Sequence, residues 1–247
     1  MKAIILAAGV GARLGEISGG RPKSLLNFEG RSLLQRHIDN LNSLGIDEIL
    51  VVTGFQSEEI EAELDASRGA ARITVAHNEQ FRQGSVVSLY CAADVLCAGE
   101  EMLLMDADVL YHPDILARLS HSSHDNCYLL DRDFVPGDEP VKICVRENEM
   151  VEFRKQLDSE LQYDYQGESV GFFKFSADIG KAVAARCKIY IDEGRTDEPY
   201  EEILRDLLLS KPADFGFEDI TGLAWIEIDF PEDVGRATNE ILPAIQA

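Results

Sequence analysis

A stretch near the amino end combines glycines with basic side chains, a pattern suited to holding phosphate. Residues 4–26 read IILAAGVGARLGEISGGRPKSLL. The apolar run at its start indicates a buried strand, and the glycines that follow allow positive φ angles and a close approach of backbone N–H groups to a ligand. Arg13 and Lys23 supply the cations that a polyphosphate requires. The stretch therefore predicts a phosphate-binding turn after a strand.

Two common phosphate-binding motifs do not match this stretch. The dinucleotide fingerprint G-x-G-x-x-G fails because its third glycine would fall at Leu14. The Walker motif fails because Arg21 and Pro22 follow Gly20, and proline has no backbone N–H to donate. The alternatives are a cradle of a third type and a glycine-rich connector with incidental basic residues. We expect a cradle, since the chain has only 23 Lys and Arg against 45 Asp and Glu.

The order L-A-A-G-x-G-x-R, followed by P-K-x-L-L, resembles the signature of the nucleoside-triphosphate transferases of the nucleotidyltransferase family. The resemblance extends more weakly over the whole chain. It implies a fold similar to that of GT-A glycosyltransferases, in which the loop wraps a triphosphate and pyrophosphate leaves. It also implies that Arg13 and Lys23 are catalytic, because they balance charge during the transfer. The implied nucleotide contacts on the loop are Leu6, Ala7, Ala8, Gly9 and Gly11.

Carboxylates end two further apolar segments, residues 102–108 and 225–229. A nucleotidyl transfer needs Mg²⁺ to neutralise the triphosphate, and one or two carboxylates usually hold that ion. Asp108 and Asp229 are the predicted metal ligands, and the resemblance implies the same two positions. Asp106 competes with Asp108 and is expected at the nucleotide, whereas Glu227 competes with Asp229. The alternative is that these acids cap the helices that follow each segment.

The nucleotide base has a candidate site at Gly84 and Ser85, which open a predicted helix. In the family this position lies against the base, where a small residue allows approach and a hydroxyl can form a hydrogen bond. Ser88 follows one turn later. A pyrimidine fits such a small pocket better than a purine. The alternative is an ordinary serine N-cap.

Segments 167–171, 199–202 and 225–229 are similar to segments of the short cytidylyltransferases that act on phosphocholine, 2-aminoethylphosphonate and inositol phosphate. The resemblance implies CTP and a small phosphate or phosphonate acceptor as partners. Lys155, with Lys142 in reserve, is the candidate for the anionic end of an amino-alcohol phosphate. Glu168, Tyr200 and Glu201 are candidates for its ammonium end, through charge and a π face. Their alternatives are a solvated hairpin end, simple packing, and an acid favoured by the helix dipole.

Composition excludes several classes of function. A net charge of −22 repels nucleic acid and anionic membranes, so a nucleotide site must be a local basic exception. No apolar segment approaches the length of a membrane span, and the first residues lead into a strand without a cleavable signal. Five cysteines without a CxxC pair favour reduced thiols in the cytoplasm. An oligomer is possible.

Apolar runs and helical patterns alternate along the first half, which predicts βαβ units. The predicted strands there are residues 2–7, 48–53, 72–76, 101–105 and 126–130, with helices at 32–44, 57–64, 86–96 and 113–119. The second half predicts strands at 141–146, 150–154, 170–175 and 223–228, and helices at 177–187, 199–210 and 231–241. We expect an α/β, Rossmann-like GT-A-type mixed sheet, mainly parallel, with helices on both faces. One domain over residues 1–247 would comprise a nucleotide-binding half (1–135) and an acceptor-binding, sheet-completing half (136–247).

Three functions follow from these expectations. The first is a cytidylyltransferase that moves CMP from CTP to a small phospho- or phosphono-compound. The second is a sugar-1-phosphate nucleotidylyltransferase that uses UTP or TTP. The third is a catalytically silent nucleotide-binding scaffold.

Overall fold

The computed structural model describes residues 1–67 and 71–246, without side-chain placement for residues 16–18 and 67. Strands β1 to β13 are, in order, Lys2–Ala7, Asn27–Phe28, Arg31–Ser32, Glu48–Thr53, Arg72–His77, Met102–Asp106, Val109–Tyr111, Cys127–Asp131, Lys142–Arg146, Glu149–Arg154, Tyr165–Phe175, Gly216–Asp219 and Trp225–Glu227. Helices α1 to α9 are Leu33–Ser43, Ser57–Ser67, Ser85–Tyr90, Ala93–Leu96, Pro113–Ser120, Ala177–Asp192, Tyr200–Ser210, Pro231–Arg236 and Leu242–Gln246. Short 3₁₀ segments cover Ala12–Ser18, Lys23–Leu25 and Pro212–Asp214, and a π-helical turn covers Ala237–Ile241.

The centre of the main sheet is parallel, in the order β5-β4-β1-β6. Strand β1 is apolar from Ala3 to Ala7, as expected for a parallel strand that is covered on both faces. Ile4 packs in one core cluster with residues of α6 such as Val183, whereas Ile5 packs in another with residues of α1 such as Ile38. Helices therefore lie on both faces of the sheet, and the carboxyl ends of β1 and β6 lie side by side.

The second half of the chain adds antiparallel strands through β11. One edge of β11 pairs with β9 through Glu168 and with β6 from Phe172 onward, while its other edge pairs with β8. Gly171 lies at this change of partner, with φ +79°. Strand β12 extends the sheet beyond β8 in the parallel sense, and β13 pairs with β7 in a separate ribbon. Strand β11 thus joins the two halves of the chain.

The predicted mixed α/β sheet with helices on both faces is confirmed, with several differences in its elements. The helix predicted at 86–96 is two short helices, α3 and α4. The strand predicted at 223–228 contains only residues 225–227 and lies outside the main sheet. Helix α6 continues to Asp192, strand β11 begins at Tyr165, and the helix predicted at 231–241 is α8 followed by the π-helical turn. Strands β2, β3, β7 and β12 were not predicted. Within residues 1–67 and 71–246, no helix combines the length and apolar character that crossing a bilayer requires.

Candidate functional site

A central cavity of about 700 Å³ lies where β1 and β6 end. This volume lies within the usual range for small-molecule sites. The cavity is lined by most of the residues that the sequence predicted for nucleotide and metal, namely Leu6, Ala7, Gly9, Gly11, Arg13, Lys23, Ser85, Asp108 and Asp229. The exceptions are Ala8, Gly84 and Asp106. Ala8 is buried, and its carbonyl accepts a hydrogen bond from Phe55 N–H at 3.1 Å.

The turn after β1 needs glycine at position 11 for two reasons. Gly11 has φ +63°, and a Cβ there would lie 2.8 Å from Cγ of Lys23. The Gly11 carbonyl also accepts from Leu14 N–H at 3.1 Å, which closes the turn. A side chain at position 11 would therefore strain the backbone and displace Lys23.

Lys23 lies between the two carboxylates that the sequence predicted as metal ligands. Its Nζ is 3.1 Å from Asp108 Oδ2 and donates a short hydrogen bond to Asp229 Oδ1. Burial alone would lower the pKa of Lys23, but the charges of Asp108 and Asp229 outweigh it and raise that pKa above its ordinary value. Lys23 is therefore a fixed positive charge in the central cavity.

Arg13 contacts one of these two carboxylates, that of Asp229. Its Nη1 lies 3.1 Å from Asp229 Oδ2 and 3.2 Å from Glu139 Oε2. Arg21, the third basic residue of the stretch, instead pairs with Glu59 at 2.8 Å. The described part of the stretch therefore directs two of its three basic side chains into the central cavity.

Asp108, Glu227 and Asp229 each offer a carboxylate oxygen within 4.8 Å of the others. Three converging carboxylates fit a hard divalent cation such as Mg²⁺, which prefers oxygen ligands. Although the side chain of Glu227 is accessible from the cavity, the protein around it and the charges of Asp108 and Asp229 raise its pKa well above the ordinary value. The sequence predicted either Asp229 or Glu227 as a metal ligand, whereas the structure places both beside Asp108.

The alternative role of Asp108 and Asp229 as helix caps does not match their contacts. Helix α5 is capped by His112, whose Nδ1 accepts from Asp114 N–H at 3.2 Å. Before α8, the carboxylate of Asp233 accepts from the N–H groups of Asp229 and Phe230 at 3.0 and 2.7 Å. Asp233 therefore holds the backbone of Asp229, whose side chain is directed to Lys23.

Asp106 lines a small cavity of about 30 Å³ next to the central cavity. Tyr200 donates its hydroxyl to Asp106 Oδ2 at 2.6 Å. A Cβ at Gly171 would lie 2.4 Å from the same oxygen, so the backbone of β11 packs closely against the side chain of Asp106. Burial and the charges of Asp108 and Glu201 raise the pKa of Asp106, and burial also raises that of Glu201. The small cavity is therefore lined by carboxyl groups that resist ionisation while no cation is bound beside them.

The start of α3 contacts the segment that leads into α7. A Cβ at Gly84 would lie 2.2 Å from Glu198 O, and Gly84 N–H donates to Thr196 O at 2.8 Å. The hydroxyl of Ser85 accepts from Tyr200 N–H at 2.8 Å while also lining the central cavity. Glycine at position 84 is therefore explained by close backbone packing, and Ser85 supports Tyr200.

The predicted acceptor residues separate into two groups. Lys155 lines both the central and the small cavity, and Tyr200 and Glu201 line the small cavity. Glu168 instead lines a side cavity of about 240 Å³ with Asp131 and Trp225. Burial and the charge of Asp131 raise the pKa of Glu168 to about 7.

The reserve role of Lys142 does not match its contacts. Its Nζ donates to the carbonyls of Gly137, Pro140 and Lys155 at 2.7, 3.2 and 2.6 Å. These three bonds use the donors of the ammonium group to join the loop before β9 to the residue that follows β10. Lys142 is therefore a structural residue.

Ser24 and Arg82 also line the central cavity, and sequence reasoning missed both. The Ser24 hydroxyl is buried and has no hydrogen-bond partner among the described residues. Its position directly after Lys23 was a usable signal, as was that of Arg82 before the Gln83-Gly84-Ser85 segment. The role of Asp233 had no signal, because it depends on the backbone path after Asp229.

A mixed sheet with a glycine turn, two cations and three carboxylates at its carboxyl edge defines the nucleotidyltransferase class. The MobA-like NTP transferase domain matches residues 3–160, and the chain belongs to that family. It is a nucleotidyl-transferring enzyme, which excludes the catalytically silent scaffold. Nucleotidyltransferases of this family generally use a divalent metal ion, consistent with the carboxylate cluster.

Named relatives extend over nearly the full chain. A CTP:phosphoglutamine cytidylyltransferase from Campylobacter jejuni is 24% identical, with 95% of this chain and 98% of the relative covered. A UTP–glucose-1-phosphate uridylyltransferase from Haloferax volcanii is 26% identical, with 98% and 96% covered. The solved structure of the inositol-1-phosphate CTP transferase from T. maritima matches with a TM-score of 0.80 at 22% identity, covering 99% of this chain and 96% of that chain. The structural match extends the shared fold to the second half of the chain.

Proposed function

We propose that this chain transfers CMP from CTP to a small phosphate or phosphonate acceptor bearing an alcohol or amine, and releases pyrophosphate. The central cavity carries the proposal, because the Gly11 turn, Lys23 and the carboxylates of Asp108 and Asp229 surround one space. Residues 1–135 supply most of the nucleotide contacts in this proposal. Residues 136–247 supply the acceptor contacts and complete the metal site.

The nucleotide would lie with its triphosphate over residues 9–11 and its base against the start of α3. Backbone N–H groups of a glycine turn suit phosphate oxygens, and Ser24 offers a hydroxyl donor beside them. Gly84 and Ser85 stay the predicted contacts of a pyrimidine base. The similarity to the Campylobacter jejuni enzyme, whose name specifies CTP, favours cytosine.

Asp108, Glu227 and Asp229 would hold Mg²⁺, which when bound supplies charge neutralisation for the triphosphate. Asp233 fixes the backbone of Asp229 through two hydrogen bonds. The carboxylates also orient Lys23 toward the same space. Neighbouring carboxylates and cations are needed together, because each keeps the other charged in a partly buried site.

The chemistry requires no general base. An anionic oxygen of the acceptor attacks the α-phosphorus, an oxygen–phosphorus bond forms, and the bond to the β-phosphate oxygen breaks. Lys23 and Arg13 stabilise negative charge on the transferred group and on the departing pyrophosphate. Lys155 would bind the acceptor's phosphate or phosphonate, since it lines both the central and the small cavity. Catalysis is then positioning plus electrostatics.

The rival is a sugar-1-phosphate nucleotidylyltransferase, favoured by the similarity to the Haloferax volcanii enzyme. A panel of CTP, UTP and TTP against phosphocholine, 2-aminoethylphosphonate, inositol phosphate and glucose 1-phosphate distinguishes the two. We expect magnesium-dependent pyrophosphate release with CTP and a non-sugar acceptor, abolished in Asp108→Asn. Release only with UTP or TTP and glucose 1-phosphate would establish the rival.

A further inference from the structure

The small cavity adjoins the central cavity at a point suited to the far end of an acceptor. Lys155 and Glu227 line both cavities. An acceptor whose phosphonate lies at Lys155 would therefore extend into the small cavity. The walls there are partly apolar, from Val141, Phe153 and Phe173. The polar residues of the small cavity therefore determine which group of the acceptor can bind there.

Glu201 favours a ligand group that can donate a hydrogen bond. Its Oε2 atom is buried and has no hydrogen-bond partner among the described residues. Asp106, by contrast, accepts from the Tyr200 hydroxyl. A buried carboxylate oxygen without a donor costs free energy, and a ligand N–H would satisfy it.

Charge and size restrict the ligand group further. Asp106 and Glu201 are two carboxyl groups in the lining of the small cavity, and carboxyl oxygens accept hydrogen bonds from an ammonium group. A volume of about 30 Å³ accepts one or two water-sized groups. An –NH₃⁺ group meets both conditions and carries N–H donors. A trimethylammonium group has four heavy atoms at that end and no N–H donor.

We propose that the small cavity binds a primary ammonium group, so that the acceptor is a primary-amine phosphonate or phosphate monoester. This inference rests on the proposed cytidylyl transfer and specifies its acceptor. Glu201 and Tyr200, at the first turn of α7, line the ammonium site. Trimethylated analogues are poor acceptors because they leave Glu201 without a donor.

The test compares acceptors that differ only in N-methylation, with CTP and Mg²⁺ and with pyrophosphate release as the readout. The pairs are 2-aminoethylphosphonate with its N,N,N-trimethyl analogue, and phosphoethanolamine with phosphocholine. We expect kcat/KM to be roughly 10- to 100-fold higher for each primary amine, as for loss of one charge-assisted hydrogen bond. Equal or better use of the trimethylated member of both pairs would overturn the inference and leave cytidylyl transfer intact.

Variants of α7 provide the second part of the test. Glu201→Gln should raise KM for the primary-amine acceptor roughly 10- to 100-fold and leave KM for CTP unchanged. Its thermal midpoint should not fall, because glutamine removes a buried charge. Glu202→Gln is the matched control, since Glu202 pairs with Arg154 at 2.9 Å and lines neither the central nor the small cavity. We expect its acceptor KM to equal that of the wild type.

Two other results would contradict the inference. If Glu168→Gln raises the acceptor KM and Glu201→Gln does not, the ammonium group lies in the wider side cavity. If no acceptor of either pair supports pyrophosphate release from CTP, cytidylyl transfer to such compounds fails, and the inference fails with it. The acceptor panel separates this case, because release with another nucleotide would still be detected.

Discussion

At the scale of single residues, the ammonium of Lys23 is held in place by Asp108 and Asp229. Lys23→Ala should lower kcat by roughly 10²- to 10³-fold, the typical effect of removing one preorganised donor. Steady-state pyrophosphate release at saturating CTP and acceptor measures it. An unchanged kcat would remove Lys23 from the mechanism.

The control for this variant is a lysine of similar type on the surface. Lys188 pairs with Asp192 at 2.9 Å on the exposed face of α6. Lys188→Ala should retain wild-type kcat, because exposed ion pairs contribute little. A comparable loss in both variants would indicate a general effect of lowering positive charge in this acidic chain.

Glu168 gives a pH-dependent prediction because its pKa is raised to about 7 by burial and by Asp131. Below its ordinary pKa of 4.5 the carboxyl group is protonated in both the folded and the unfolded state, so it does not lower the free energy of unfolding. Between pH 4.5 and about 7 the carboxyl group of Glu168 ionises in the unfolded state but stays protonated in the folded state. The free energy of unfolding of the wild type therefore falls over this range and stops falling above about pH 7. Glu168→Gln should therefore gain stability relative to wild type between pH 5 and 8, by up to about 3 kcal/mol.

Urea unfolding at pH 5 and pH 8 measures this difference. The control is Glu149→Gln, which removes a carboxyl group at an exposed position of β10. A Glu168→Gln variant that loses stability as the pH rises would show that Glu168 functions as an ionised, paired carboxylate.

At the scale of elements, the change of partner along β11 depends on Gly171. Alanine there faces a positive φ and a contact of 2.4 Å with Asp106 Oδ2. The backbone strain costs about 1–2 kcal/mol, and the contact adds about 1–3 kcal/mol. Gly171→Ala should lower the free energy of unfolding by that sum and reduce activity, because Asp106 must shift.

Gly194 separates the two contributions. It also has a positive φ, of +76°, but a Cβ there meets nothing within 4 Å. Gly194→Ala should cost only the backbone strain, about 1–2 kcal/mol, and should leave activity unchanged. If both variants show equal losses in chemical unfolding, close packing on Asp106 contributes nothing.

The elements that could be predicted well are those whose secondary structure follows from their own sequence pattern, without a contribution from a distant strand. β1 and β4 are mainly apolar runs buried in the sheet, so their limits could be predicted to within one residue. β12 has the sequence GFED and is a strand because it adds to the edge of β8. Its formation depends on a distant strand, and no local pattern records that dependence.

The same distinction applies to the candidate site. That Lys23, Asp108 and Asp229 line one cavity could be predicted, because each follows a recognisable strand or glycine turn. The separation of Glu168 from Tyr200 could not, because it depends on where β11 exchanges β9 for β6. The unpartnered Glu201 oxygen likewise requires knowledge of every neighbour around it.

At the scale of the whole molecule, the net charge of −22 predicts a response to salt. Like charges repel more strongly in the folded state than in the expanded chain, and at 0.1 M salt the Debye length falls to about 10 Å. The free energy of unfolding at pH 7.5 should therefore rise between 10 and 200 mM NaCl, as measured by urea unfolding.

A second series at pH 5.5 provides the comparison. The molecule lies closer there to its isoelectric point of about 4.5, so the same salt increment should have a smaller effect. Stability that falls with salt at pH 7.5 would indicate that attractive ion pairs outweigh the repulsion.

The contact between the start of α3 and the start of α7 has a consequence for redesign. Gly84 packs on the backbone of residues 197–198, and Ser85 holds the amide of Tyr200. In the proposed function positions 84 and 85 contact the base, so substitutions made there to alter nucleobase preference should also displace the residues of α7 that border the small cavity. Laboratory evolution toward a new nucleotide should therefore diversify both helix starts together.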